Sequence, residues 1–258
     1  NISYAHIKNF KSINQIALAK AEIIQNINDE GYLVLNLDDR FYNFHKNLGL
    51  KNNLKIISFS LKNKSATVNL NSISKEKSKY KINININKKK KYFFFNSLFE
   101  NDLKNLLATI SIISIYKDIN KIDKNIFNDY KVTNGRGDIT KVKLFKKSFY
   151  LVDESYNSNP LSLKSALMNF DKIKVYNSKK HLILGDMLEL GRYSKKLHAE
   201  IGKNINKTSL RNVNVIGKHI KLTFNNLDKN KRGLVLENRY QIIDLIKNNL
   251  NNNDYLMI

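Results

Sequence analysis

Phe149-Tyr150-Leu151-Val152 runs straight into Asp153-Glu154-Ser155-Tyr156-Asn157-Ser158-Asn159-Pro160, and residues 161–170 follow with helical spacing. Four apolar residues bounded by polar ones read as a short buried strand. Pro160 suits the first position of a helix, where its missing N–H costs nothing, and Asn159 suits the cap before it. The rhythm then repeats as a strand at 181–184, a helix at 194–205, a strand at 213–216 and a short helix. A strand at 234–236, a helix at 240–250 and a strand from 255 complete it. Strands alternating with helices predict right-handed βαβ units on a parallel sheet, an α/β domain over 149–258. Ligands of such sheets meet the loops at the carboxyl ends of the strands. Asp153 and Asp186 stand at two of those ends.

Working outward, residues 1–148 read differently. Ser12 can cap a helix over 12–27, with Gln15 completing a capping box and Gly31 closing it. A short strand at 32–35 precedes apolar or alternating runs at 56–61, 66–70, 80–86 and 92–95. Ile82, Ile84 and Ile86, with Asn between them, carry the period of two of a strand with one wet face. Lys88 to Lys91 reads as the solvated end of a hairpin, and a helix is expected over 102–116. This half is therefore a mixed sheet with a β-hairpin excursion. The boundary is placed at 148, after Gly135-Arg136-Gly137-Asp138 and the Lys-rich strand that follows.

The chain has 258 residues, no cysteine and a formal charge of +23. The absence of cysteine removes disulfides and thiolate metal sites. No apolar run reaches the roughly 18 residues of a membrane span. Lysine comes with much Asn and Ile along the whole chain, which reads as a compositional bias; no nucleic-acid partner is expected. Asn1 in place of Met, and the apolar strand that starts near Tyr255, lead us to expect a stretch of a longer protein.

Several residues invite a chemical reading beside a structural one. Ile13, Ile16, Ala17, Ile24 and Ile27 share a helical face by their spacing, and Lys20 falls in its middle. Such a lysine either snorkels or pairs, or it loses its charge. A neutral amine can take up carbon dioxide and become a carbamate anion that helps hold a hard cation. His6 lies in a loop just before that helix and is either structural or a ligand. Asp153 can accept hydrogen bonds from ribose hydroxyls, as an acidic residue does in other nucleotide folds. Arg136, between two glycines, is a surface turn residue or a planar fork for phosphate. Gly185-Asp186-Met187-Leu188-Glu189-Leu190-Gly191 is a strand-exit loop.

Taken together, the 153–160 segment closely resembles the Asp-Asp-Ser-Tyr-Asn-Ala-Asn-Pro signature of Mur ligases, in the branch that adds D-alanyl-D-alanine. Leu184 to Gly191, followed by Ser194 and His198, is similar to that branch's next signature. Asn1 to His6, Ala19-Lys20-Ala21-Glu22 and Leu35-Asn36-Leu37-Asp38-Asp39 resemble the family's central domain in the expected order. The resemblance implies an ATP-binding central domain over 1–148 and a Rossmann-like C-terminal domain over 149–258. It implies ATP and Mg2+ as cofactors, with UDP-N-acetylmuramoyl-tripeptide and D-alanyl-D-alanine as substrates. ATP would phosphorylate the tripeptide carboxylate, and the dipeptide amine would attack the acyl phosphate. His6 matches a magnesium ligand, and Lys20 the carbamylated, metal-bridging lysine. Arg136 and Asp153 match ATP phosphate and ribose contacts, and Asn101 an adenine-side contact. Tyr156, Asn157, Asn159 and Asp186 are candidates for substrate binding. A cytoplasmic, monomeric enzyme is expected.

The chain departs from the family pattern at Glu100, where a His is usual, at Lys104, where an Asn is usual, and at Glu154, where an Asp is usual. No Gly-x-x-Gly-Lys-Ser/Thr loop occurs within these residues, and the resemblance places it upstream of Asn1. The 258-residue stretch by itself is therefore expected to lack ligase activity. A sister Mur ligase adding a single amino acid, a basic nucleic-acid-binding module and an inactive homologue are the competing readings.

Overall fold

Two separate sheets organise the chain, one of five strands and one of six. The structure is a computed structural model and describes residues 2–4, 7–77 and 79–258; His6 thus lies outside the described residues. Two units result, Ser12–Tyr130 together with Ile2, and Lys131–Ile258 together with the segment Ser3–Lys11.

In the first unit, β1 (Tyr32–Asn36), β2 (Lys55–Ser60) and β3 (Val68–Glu76) run parallel. β4 (Lys79–Ile86) and β5 (Lys89–Phe95) extend the sheet antiparallel. The alternation in β4 is obeyed: Ile82, Ile84 and Ile86 are buried and Asn83 and Asn85 only partly so. Asn87 and Lys88 carry positive φ of 47° and 68°, the two-residue turn that matches the twist of a hairpin. Helix α3 (Glu100–Tyr116) buries Leu103, Leu106, Leu107 and Ile110 against Val68, Ile82, Ile84, Phe93 and Phe95. Each such side chain contributes about 1.5–3 kcal/mol by leaving water. Helices α1 (Ile13–Ala21) and α2 (Tyr42–Lys51) belong to a second cluster. There Ala21, Ile24, Leu33 and Leu54 meet Phe44 and Leu48. Along β1, Leu33 and Leu35 serve this cluster while Val34 serves the α3 side, as a strand covered on both faces requires. Gly49 allows α2 to approach the sheet, since a Cβ there would lie 2.7 Å from Leu33 and 2.8 Å from Ile56.

The second unit has strand order β10-β9-β8-β11-β7-β6. β7 (Lys147–Asp153), β8 (Lys180–Leu184), β9 (Val213–Ile216), β10 (Arg232–Leu236) and β11 (Tyr255–Met257) are parallel. β6 (Asp138–Leu144) adds an antiparallel edge. Helix α7 (Arg239–Asn249) places Leu245 against Phe149, Ile183 and Leu256. Leu182 and Leu184 point to the opposite face. Helices α4 (Pro160–Lys172) and α5 (Ser194–Asn206) pack on one another and bury Leu163, Leu167, Phe170, Leu197 and Ile201. α6 (Ile220–Asn225) packs against α5.

The α/β reading and the alternating elements of 149–258 therefore stand. Three expectations need correction. The compact units divide after Tyr130 and not at 148, because β6 is hydrogen-bonded along its length to β7. The helix expected over 12–27 keeps its Ser12 cap, whose Oγ accepts from Gln15 N at 3.4 Å, but ends at Ala21 in a tighter turn, Glu22–Asn26. Residues Ser3–Lys11 belong with the second unit, although they open the chain. Lys8 N donates to Glu189 O at 2.9 Å and Tyr193 Oη to Lys11 O at 2.9 Å, which fastens them to the turn after Met187.

Candidate active site

At the carboxyl ends of the parallel strands of the second unit lies a cleft of about 420 Å³. Tyr156, Asn157 and Ser158 line one side, Gly185, Asp186 and Leu188 another, and Ile183, Ile216 and Met257 the apolar floor. Each wall is the loop that follows a strand, so the sheet places them together across long sequence separations.

Asp153 ends β7, half-buried, and its Oδ1 accepts from Ser155 N at 2.9 Å, which turns the chain out of the sheet. Its main-chain carbonyl accepts from Gly137 N at 2.6 Å, and Tyr156 N donates to Gly135 O at 3.1 Å. The loop 135–137 is thus laced to the loop 153–156. Both glycines are needed there. Gly135 and Gly137 have φ of +75° and +95°, and a Cβ on either would come within 2.9 Å of Tyr156 Cβ or Glu154 Oε1. Arg136, held between them, lays its guanidinium over the Tyr156 ring at 4.7 Å from the centroid. Arg136, Asp153 and Tyr156 are therefore brought together, a grouping that their separate positions in sequence did not reveal. The flanking glycines of Arg136 were its one readable sign.

Asn159 and Asp186 have structural duties. Asn159 Oδ1 accepts from Leu161 N at 3.0 Å and Ser162 N at 3.1 Å, and Ser162 Oγ accepts from Asn159 N at 2.9 Å. That is the cap its place before Pro160 suggested. Asp186 lines the cleft, but its Oδ2 accepts from Lys218 N at 2.9 Å and its Oδ1 from His219 N at 2.9 Å and Ile220 N at 2.7 Å. These bonds tie the loop after β8 to the start of α6. Gly217, at φ +133°, lets that chain pass, since a Cβ there would lie 2.7 Å from the Asp186 carboxylate.

His198, fully buried on α5, holds the same loop from behind. Its Nδ1–H donates to Ser194 O at 2.8 Å and its Nε2 accepts from Met187 N at 3.0 Å, which fixes a neutral tautomer. Burial pushes its pKa below the ordinary 6.5, against the backbone bond to Ser194 and the nearby Asp186 charge. Burial also lowers the pKa of His181, whose Nε2 lies 3.3 Å from Asp254 Oδ2. With both folded values depressed, the unfolded chain binds the extra protons. The stability present above pH 6.5 is lost as pH falls through the folded values. The urea midpoint is thus expected to drop between pH 7.5 and 5, and His198→Gln to flatten that slope; a profile level in both proteins would contradict this.

In the first unit a smaller cavity of about 240 Å³ opens beside β1, lined by Lys20, Asn36, Asp39, Tyr42 and His45 among others. Asp39 Oδ1 accepts from Phe41 N and its Oδ2 from Ile2 N, each at 2.9 Å. His45 Nε2 donates to Ala17 O at 3.1 Å. Lys20 corrects the expectation of burial: it is exposed, while Ile16, Ala17, Ala21 and Ile24 carry the buried face. Lys20 is thus no stranded ammonium among isoleucines; it lines a mixed cavity in which Asn36, Asp39, Tyr42 and His45 stand with Ile24, Leu35 and Phe59. Tyr42 and His45 carried no sign in the sequence that they would share that cavity with Lys20. Among the described residues no three His, Asp or Glu form a ready metal cluster.

Asn101 is exposed on the first turn of α3. Glu100 and Lys104, the two departures that flank it, pair at 2.7 Å as an i, i+4 bridge. With Glu100 half-exposed and Lys104 partly covered, a helical pair of this spacing is worth about 0.3–0.5 kcal/mol. Among the described residues no helix is long and apolar enough to cross a membrane.

Residues 1–113 match the Mur ligase middle domain and residues 140–258 the Mur ligase glutamate ligase domain. A UDP-N-acetylmuramoyl-tripeptide--D-alanyl-D-alanine ligase of Rickettsia prowazekii is 28% identical over 229 residues, 87% of this chain and 49% of that protein. Its counterpart from Buchnera aphidicola subsp. Baizongia pistaciae is 28% identical over 262 residues, 100% of this chain and 54% of that one. The chain thus spans about half the length of these curated relatives. Among solved structures, the MurF ligase from Thermotoga maritima in complex with ADP superposes over 100% of this chain and 56% of its own, with TM-score 0.81 at 18% identity. MurF from Acinetobacter baumannii does so with TM-score 0.82 at 19% identity, over 100% of this chain and 55% of its own. With both of its halves matched in order and its fold shared along its whole length, the chain belongs to the Mur ligase family.

Proposed function

We propose that this chain forms part of an ATP-dependent ligase that joins D-alanyl-D-alanine to UDP-N-acetylmuramoyl-tripeptide. The observation that carries the reading is the loop with the residues of the D-alanyl-D-alanine branch, whose positions 154–158 line the strand-end cleft and whose Tyr156 carries Arg136 on its ring. In the reaction the γ-phosphoryl group of ATP passes to the terminal carboxylate of the tripeptide, releasing ADP. The amine of the dipeptide then attacks the acyl phosphate carbon, loses a proton, and inorganic phosphate departs as the amide forms. Catalysis of this kind rests on positioning and on neutralising phosphate charge. Asp153 would accept hydrogen bonds from the ribose hydroxyls, Arg136 would pair with phosphate, and Asn101 would lie on the adenine side. Asn157 stands on the cleft wall where an acceptor could bind.

Magnesium takes hard oxygen donors. Lys20 lines the first unit's cavity with Asp39, whose oxygens accept from the main chain of Ile2 and Phe41, and a carbamate on Lys20 would add an anionic oxygen beside that carboxylate. Lys20 would hold the ion, which when bound offsets the charge of the transferred phosphoryl group; His6, which the resemblance also assigns to it, lies outside the described residues. A cytoplasmic setting follows from nucleotide-linked substrates. The test offers the full-length protein ATP with the tripeptide precursor and D-alanyl-D-alanine, or with the dipeptide precursor and diaminopimelate, and reads products by mass spectrometry. The pentapeptide precursor should form only in the first mixture. Product in the second alone assigns a sister Mur ligase, and ATP-dependent product in neither overturns the enzyme reading.

A further inference from the structure

Arg136 has the side chain of a phosphate ligand but stands exposed on a loop, where an arginine samples many rotamers and loses that freedom when it is fixed. Here it is already confined. Positive φ at Gly135 and Gly137 sets the direction in which the side chain leaves the loop. The Tyr156 N to Gly135 O bond fixes the distance between loop and ring. The guanidinium rests on the Tyr156 face at 4.7 Å, within the range of a cation–π contact. A contact with the ring face needs no hydrogen bond from the guanidinium, which leaves its donors to an anion.

We propose that Tyr156 is a positioning residue for Arg136, holding its guanidinium ready for the nucleotide phosphates. This rests on the reading of Arg136 given above, and it assigns Tyr156 to the nucleotide and not to the acceptor dipeptide. The ring matters and the hydroxyl does not.

A double-mutant cycle in the full-length protein separates this from its alternatives, with KM for ATP, KM for D-alanyl-D-alanine and kcat read for Arg136→Gln, Tyr156→Leu, Tyr156→Phe and the double Arg136→Gln/Tyr156→Leu. Tyr156→Leu is expected to raise KM for ATP about 3- to 10-fold, the size of a cation–π contact. Tyr156→Phe should stay near the parent, and KM for the dipeptide should not move. In the Arg136→Gln background, Tyr156→Leu should add nothing further. If Arg136→Gln leaves KM for ATP unchanged, the phosphate reading of Arg136 itself fails. If Arg136→Gln raises it but Tyr156→Leu does not, or if the two effects simply add, the positioning role is overturned while that reading stands. A rise in dipeptide KM with Tyr156→Leu would place the ring on the acceptor instead and also overturn the proposal.

Discussion

Replacing Lys20 by Arg is expected to lower kcat of the full-length protein about 100-fold or more while leaving its unfolding midpoint in place. Arginine keeps the charge and the long apolar stem but cannot take up carbon dioxide as a carbamate. Lys20 is exposed at the mouth of its cavity, so the substitution disturbs no packed contact, and a surface change of this kind stays within about 0.5 kcal/mol. Loss of an anionic oxygen beside a catalytic cation removes several kcal/mol of transition-state stabilisation, and each 1.4 kcal/mol is about tenfold in rate. A lysine that only snorkels would tolerate Arg with a near-parent kcat. Parallel measurement of kcat and of the urea midpoint therefore separates the two roles: both unchanged contradicts the metal-bridging role, and both reduced points to a structural one.

The second unit was the more legible in sequence because each of its strands is a short apolar run with a polar exit, and Asn159 with Pro160 marks a helix start without help from elsewhere. What could not be read was the order of those strands. β11 inserts between β8 and β7 through pairing that links residues far apart in the chain. β6 escaped the boundary for a similar reason, since only its antiparallel partner shows that it belongs to the second sheet. In the first unit the period of two in Ile82, Ile84 and Ile86 survived intact because one face of β4 packs on α3. Helix α2 gave no comparable signal: Gly49 is its buried residue, and its other contacts are partial.

The candidate site shows the same division. Asp153 was legible as an acid at a strand exit. Asp186 had the same signal, yet its oxygens are engaged by the main chain of residues 218–220, which no local reading could foresee. Lys20 stands beside the buried stripe and not in it, because Ile16, Ala17, Ala21 and Ile24 already fill that face of the helix. The pairing of Arg136 with Tyr156 depends on two loops laced by main-chain bonds, a tertiary fact with only the two glycines as its trace.

In the proposed reaction, nucleotide meets the carboxyl ends of the second sheet through Asp153. A carboxylate that accepts from sugar hydroxyls contributes about 1.5–3 kcal/mol, so Asp153→Ala should raise KM for ATP about 10- to 100-fold. The decisive comparison is KM for ATP against KM for 2′-deoxy-ATP in the parent and in Asp153→Ala. The parent should prefer ATP clearly, and the variant should bind the two nucleotides alike. A variant that keeps the parent's KM for ATP and its full preference for the ribose hydroxyl would show that the sugar binds elsewhere.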